Sequence, residues 1–213
     1  MDKEFVIARG WFVNAAERAG VDPGEVDRAL ALLVPLEVHH ARTATHSLRV
    51  GMDAATYATL LHDDARLAAL GGAIHDCGKV CTPRRVLDAT TLSPEDHRRY
   101  IVPHLELGYR MAQELLPEPA ECMKHHHRFR SNPYPDVLPE PFEPYPRKRA
   151  AHHLRIGRLI ALADYVDAMR TRVNDRFGNR TLTGEERLRF LRDENADVAD
   201  DLERLLRGGA IRL

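Results

Sequence analysis

The stretch Gly71-Gly72-Ala73-Ile74-His75-Asp76-Cys77-Gly78-Lys79 ends an apolar run on an adjacent imidazole and carboxylate, with a lysine one helical turn beyond the imidazole. Burying a charged aspartate and a lysine at such a place is costly unless something compensates them. A metal ion would do so: imidazole and carboxylate ligate it, and Lys79, on the same face as His75, then meets an anionic substrate. The alternative is a helix-end ion pair beside a core histidine. Histidine is also heavily used, with twelve in 213 residues and several doubled: His39-His40, His125-His126-His127 and His152-His153. Imidazole is the commonest metal ligand; accumulation of surface histidines is the other reading. In chain order the candidates are His46 opening a helix, His75-Asp76 closing the next apolar one, His104 after Pro103, His125 and His126 ending another, and Asp164 inside "LIALADYVDAM". Five imidazoles and two carboxylates on separate helices converge only in a bundle core, which is how helical bundles build two-metal sites. A second pair, His62-Asp63 in the polar "LLHDDARL", reads as a surface helix end.

The elements that must position these residues are helical nearly throughout. Asp22-Pro23-Gly24-Glu25 is a helix start, with an Asp cap, Pro at the first position and Glu three after the cap; it opens a helix through Ala29–Leu36. Ser93-Pro94-Glu95-Asp96 repeats the device, and Thr183-Gly184-Glu185-Glu186 is a third cap. His46–Leu61 has the three- and four-residue apolar steps of an amphipathic helix. Arg66–Lys79 reads as a buried helix and Ile156–Met169 as another apolar one. Pro103 predicts a break with His104 in the first turn beyond it. The one non-helical tract is Ser131–Arg149, which holds six prolines at 133, 135, 139, 141, 144 and 146. A loop of that length is either a mobile surface excursion or a lid beside a site, and it follows the histidine triplet directly.

Composition narrows the function classes. A hydrophobic share of 44% and a charged share of 30% fit an ordinary globular chain. The net charge of −1 gives no global field to recruit long nucleic acid or an anionic membrane. Apolar runs are too short to span a bilayer. The N-terminus, with Asp2 and Glu4 beside Lys3, lacks a signal-peptide design. Cys77, Cys81 and Cys122 make an odd count without a zinc-type pair, so the expectation is a cytoplasmic protein with free thiols.

The ordered set H…HD…H…HH…D, carried by "HSLRV", "IHDCGKV", "YIVPHLELGYRM", "HHHRFRSNPYP" and "RIGRLIALADYVDAM", resembles the HD superfamily of metal-dependent phosphohydrolases, and within it the HD-GYP branch. The resemblance covers about residues 40–180. It implies an all-α HD-domain helical bundle with a binuclear metal site in its core, occupied by two divalent transition metals, iron or manganese. It implies that Asp76 bridges them and that His46, His75, His104, His125, His126 and Asp164 complete the ligand set, with Lys79 holding a phosphoryl oxygen. Residues 1–36 show no such match and are expected to form an N-terminal helical extension packed on a catalytic domain of residues 37–213.

The chain departs from the branch at its name-giving motif. His127, Arg130, Ser131 and Pro133 stand where the resemblance expects Glu, Asp and two glycines, and only Tyr134-Pro135 remain. His127 is accordingly expected in an outer or surface role. Arg42 stands where some relatives carry an acid for a third metal, which predicts a binuclear site. A phosphate-holding arginine of the family falls on Val173, with Arg172 and Arg176 as neighbours. Arg130, Tyr134, Arg172 and Arg176, together with Lys79, are the candidate substrate contacts. The expected activity is a phosphodiesterase or phosphohydrolase acting on a small phosphorylated nucleotide, a cyclic di-GMP-like dinucleotide or another nucleotide phosphoester. The alternatives are a di-iron oxygenase of a phosphonate or polyol, and an inactive nucleotide-sensing or protein-interaction module. A homodimer or a signalling-protein partner is compatible with all three.

Overall fold

Two long helices and a short one fix the frame. The computed structural model describes residues 2–141, 143–171 and 180–213, and among these the fold is all-α, with no strand. Helix α1 (Lys3–Arg18) starts where the Asp2 carboxylate accepts from the amides of Glu4 and Phe5. Helix α2 (Pro23–Leu61) starts at Asp22, whose side chain accepts from the Gly24 amide at 2.9 Å. Sequence periodicity predicts two separate helices here; the structure joins them into 39 residues with an interruption at His40 (φ −154°, ψ 85°). Pro35 already denies the helix one internal hydrogen bond. The His40 ring then serves the second half as a cap, with Nδ1 2.7 Å from Thr43 Oγ1 and 3.3 Å from the Thr43 amide. Beyond that kink residues 43–48 are all buried, His46 among them.

Helix α3 (Ala65–Ile74) is capped by Asp64, which accepts from the Leu67 amide at 2.9 Å. It crosses α2 at a contact that only glycines permit. A Cβ on Gly72 would lie 2.8 Å from Gly51 Cα, and one on Gly51 would lie 2.7 Å from the Ala69 carbonyl oxygen. The expected helix Arg66–Lys79 is shorter than its pattern. It ends at Ile74, His75 and Asp76 occupy a turn, and Cys77–Cys81 form a 3₁₀ turn. Gly78 is the reason this turn can dock: a Cβ there would sit 2.0 Å from the His104 carbonyl oxygen and 2.5 Å from the Gly108 amide nitrogen. The chain continues through α4 (Arg84–Leu87), α5 (Pro94–Asp96), a π-helical turn (His97–Ile101), α6 (His104–Ala112) and α7 (Pro117–Met123).

The proline tract returns to helix earlier than expected, at α8 (Arg147–Thr171). Pro146 sits just before the first turn, where a missing amide costs nothing, and its carbonyl accepts from Arg149 and Ala150. The tract is tied down: Lys124 Nζ donates to the Pro139 carbonyl at 3.0 Å, and Arg110 Nη1 to the Glu140 carbonyl at 3.4 Å. Helix α9 (Gly184–Glu194) carries the reciprocal Thr183–Glu186 capping box, and α10 (Ala199–Arg207) closes the fold.

The segment 5–36 shares a core with the residues that hold the His-Asp turn. Phe5, Phe12, Leu33 and Leu36 pack in one buried cluster with Leu48, Leu70, Ile74 and Tyr109. A second cluster joins Tyr57 and Leu67 to Ile156, Leu159, Ile160 and Val166 of α8 and to Leu191, Leu202 and Leu205. Among the described residues no helix is long and apolar enough to cross a membrane.

Candidate metal centre

Asp76 stands between two sets of imidazoles, and its two carboxylate oxygens face different ones. Oδ1 lies 3.3 Å from His104 Nε2 and 4.0 Å from His126 Nε2. Oδ2 lies 3.4 Å from His75 Nε2 and 3.9 Å from His46 Nε2, and it accepts from Lys79 Nζ at 2.6 Å. Asp164 Oδ1 lies 3.1 Å from His46 Nε2 and 3.9 Å from His75 Nε2, while its Oδ2 accepts from Arg130 at 2.6 Å. Two groups result, Asp76 with His104, His126 and His127, and His46 with His75 and Asp164. Within each the ligand atoms lie within 4.8 Å of one another. All seven side chains are buried.

The protons on three of these imidazoles are set by backbone carbonyls at the ends of elements. His75 Nδ1 lies 2.7 Å from the Gly72 carbonyl, His104 Nδ1 2.6 Å from that of Ile101, and His126 Nδ1 2.6 Å from that of Met123. These carbonyls sit in the last turns of α3, the π-helical turn and α7, where intrahelical partners run out. A carbonyl can only accept, so Nδ1 carries the hydrogen and Nε2 presents a lone pair. The Nε2 atoms of His75, His104 and His126, with Asp76 Oδ1 and both nitrogens of His127, are buried without a hydrogen-bond partner. Buried polar atoms left unpartnered in such number around one carboxylate are what a metal ion satisfies. His46 also points Nε2 at the centre, but a carboxylate rather than a carbonyl holds its outer nitrogen. Its Nδ1 is 2.6 Å from Asp167 Oδ2, and Asp167 also takes Arg49 Nε at 2.7 Å and Nη2 at 3.0 Å.

The electrostatics match. Burial pushes His104 down to about 4 and holds His75 below its ordinary value. Burial and neighbouring imidazoles or Arg130 hold His126 and His127 well below theirs. Burial opposes ionisation of Asp76, but His75, Lys79 and His104 overcome it and keep the carboxyl well below its usual range. The same contest at Asp164 is won by His46 and Arg130. Neutral imidazoles around ionised carboxylates are the protonation state that binds a divalent cation.

The sequence model of a family described as HD domain matches residues 43–169, a span that takes in every residue of both groups. The chain belongs to the HD-domain family. HD domains are for the most part metal-dependent phosphohydrolases, and the His/Asp groups could hold metal ions in keeping with that. No curated protein and no solved structure matched the chain.

In this HD domain the expected residues His46, His75, Asp76, His104, His126 and Asp164 come together, with Lys79 on Asp76 and Arg130 on Asp164. His125 does not join them. It is half-buried and lies against α8, where a Cβ on Gly157 would fall 2.6 Å from His125 Cβ. His127 stands in the group instead, 2% exposed, its ring 3.8 Å from that of His126 and 5.2 Å from that of His104. The shift by one residue has a local cause: α7 ends at Met123, and residues 124–129 run through turns rather than along a helix face. Tyr134 stacks on His127 at 4.2 Å. Arg172 and Arg176, like Val173, lie outside the described residues. His62 is an exposed left-handed C-cap, and Asp63 accepts from Arg155 at 2.9 Å, away from the centre. Sequence reasoning missed Asp167 and Arg49; each sits three residues after a ligand candidate on the same helix, a spacing that puts it on the same face.

Proposed function

We propose that this HD domain is a binuclear, metal-dependent phosphohydrolase acting on a small nucleotide-like phosphoester. The observation that carries the reading is Asp76, whose two oxygens address two separate pairs of imidazoles, His104 and His126 at one and His46 and His75 at the other. His104, His126 and His127 would hold one cation with Asp76, and His46, His75 and Asp164 the other. The donors are nitrogen and oxygen without thiolate, a set that suits iron or manganese; Cys77 is turned to the Gly108 carbonyl at 3.6 Å. When bound, two such cations supply a nucleophile from water near neutral pH and take up charge on the phosphoryl oxygens.

The chain's own residues select and orient the substrate. Lys79 and Arg130 reach the partly open edge of the centre, with side chains 11% and 27% exposed. As a point charge and a fork of donors they favour an anion carrying several oxygens. Tyr134, over His127, gives a base or sugar an aromatic surface. The surviving Tyr134-Pro135 supports placement near the HD-GYP branch and a cyclic dinucleotide as substrate, while Arg130, Ser131 and Pro133 reshape the turn that would read it. Residues 1–36 are proposed as an extension of the catalytic domain that shares its core.

The test is turnover of cyclic and linear dinucleotides and of bis(p-nitrophenyl) phosphate by protein loaded with Mn(II) or Fe(II). His75→Ala and Asp76→Ala serve as controls. Hydrolysis by the wild type and its loss in both variants is the expected result; a fully loaded wild type that leaves every phosphoester intact overturns the reading.

A further inference from the structure

Between α5 and α6 the chain takes one π-helical turn, closed by the Val102 amide donating to the His97 carbonyl at 3.0 Å. Such turns are rare and occur often at functional sites, because the bulge re-aims a side chain. Here the turn is pinned by Thr82 Oγ1, which donates to the Tyr100 carbonyl at 3.0 Å from the segment just after the His-Asp turn. The side chain it aims is His97. Its ring meets that of Tyr134 edge-on at 5.0 Å, and the Tyr134 ring lies 4.2 Å from His127 and 6.4 Å from His104.

His97 is therefore one ring away from the centre without belonging to either ligand group. It is half-buried, and among the described residues no hydrogen bond satisfies its ring nitrogens. The charged groups acting on it are Arg130 and Lys79, and burial together with those two cations holds it below the ordinary histidine value. A neutral imidazole can donate to an anion at little desolvation cost. Lys79 and Arg130 each already serve a carboxylate, so a substrate at that edge meets two shared cations and one uncommitted donor.

We propose that His97 is a substrate-contacting residue of this site, donating a hydrogen bond to a phosphoryl oxygen held between Lys79 and Arg130. The assignment rests on the phosphohydrolase reading. The experiment uses Mn(II)-loaded wild type, His97→Ala, His97→Gln and Lys79→Ala, with Arg98→Ala as an exposed control on the same turn. It measures metal content, the affinity for inorganic phosphate, and kcat and KM on bis(p-nitrophenyl) phosphate. A lost hydrogen bond to a charged group predicts that His97→Ala weakens phosphate binding about 10-fold with metal content unchanged. Glutamine, which also donates, restores most of it, and Arg98→Ala has no effect. Wild-type phosphate affinity in His97→Ala, beside a loss in Lys79→Ala, overturns the role of His97 alone. Loss of metal in His97→Ala overturns it too, since the residue would then act on the centre. A metal-loaded wild type that binds no phosphate overturns the phosphohydrolase reading and this assignment with it.

Discussion

Asp167 shows how much of the centre depends on side chains that ligate nothing. It accepts from Arg49 through both oxygens and sits 2.6 Å from His46 Nδ1, which fixes the ring so that Nε2 faces Asp164 and Asp76. Partners of this kind typically account for 10- to 100-fold in metal affinity, about 1–3 kcal/mol. Asp167→Asn is expected to weaken one of two metal sites by about that factor while the fold survives, read by metal titration. The histidine triplet gives a sharper contrast. His127→Ala should lower metal affinity and His125→Ala should leave it unchanged; metal lost from His125→Ala and retained by His127→Ala would contradict the geometry. Most of the residues that the structure brings together around Asp76 were legible from residue type and order alone. The choice within the triplet was not, because periodicity says nothing about which of three consecutive side chains a turn points inward.

At the scale of elements, three glycines decide whether the histidines meet. Gly51 and Gly72 let α2 and α3 touch backbone to backbone, and Gly78 lets the turn after Asp76 rest on the first turn of α6. Gly78→Ala would force a methyl to 2.0 Å from the His104 carbonyl oxygen, so it should destabilise by about 3 kcal/mol or more. It should also separate His104 from Asp76, read as a fall in melting temperature together with loss of metal. The caps at Asp22, Ser93 and Thr183 could be read from sequence because each rests on local hydrogen bonds. The kink at His40 and the early end of α3 could not. Both depend on contacts distant in the chain, the first reaching Asp88 at 3.1 Å and the second His104 and Gly108.

Across the whole molecule, the N-terminal helices and the centre share one core, so stability and metal binding are linked. Phe12 is fully buried, and its ring lies 3.0 Å from the place of a Cβ on Gly51. Phe12→Ala should cost about 3–5 kcal/mol, measured by denaturant unfolding. The buried imidazoles set the pH dependence of the metal-stripped protein. His104 is held at about 4, below the ordinary value of 6.5, so the unfolded chain binds more protons between these values. Stability is then fully present above about 6.5 and lost as pH falls toward 4. His126 and His127 act in the same direction. The melting temperature in chelator should drop between pH 7 and pH 5, and bound metal should move that drop to lower pH. The family match over residues 43–169 covers the centre but leaves the number of metals to the geometry. The central claim is that Asp76 is shared by two ions, and a Mn(II) titration followed by elemental analysis tests it most directly. Two ions per chain are expected in the wild type and neither in Asp76→Ala; a wild type that saturates at one ion, or an Asp76→Ala that still holds two, would contradict a shared Asp76.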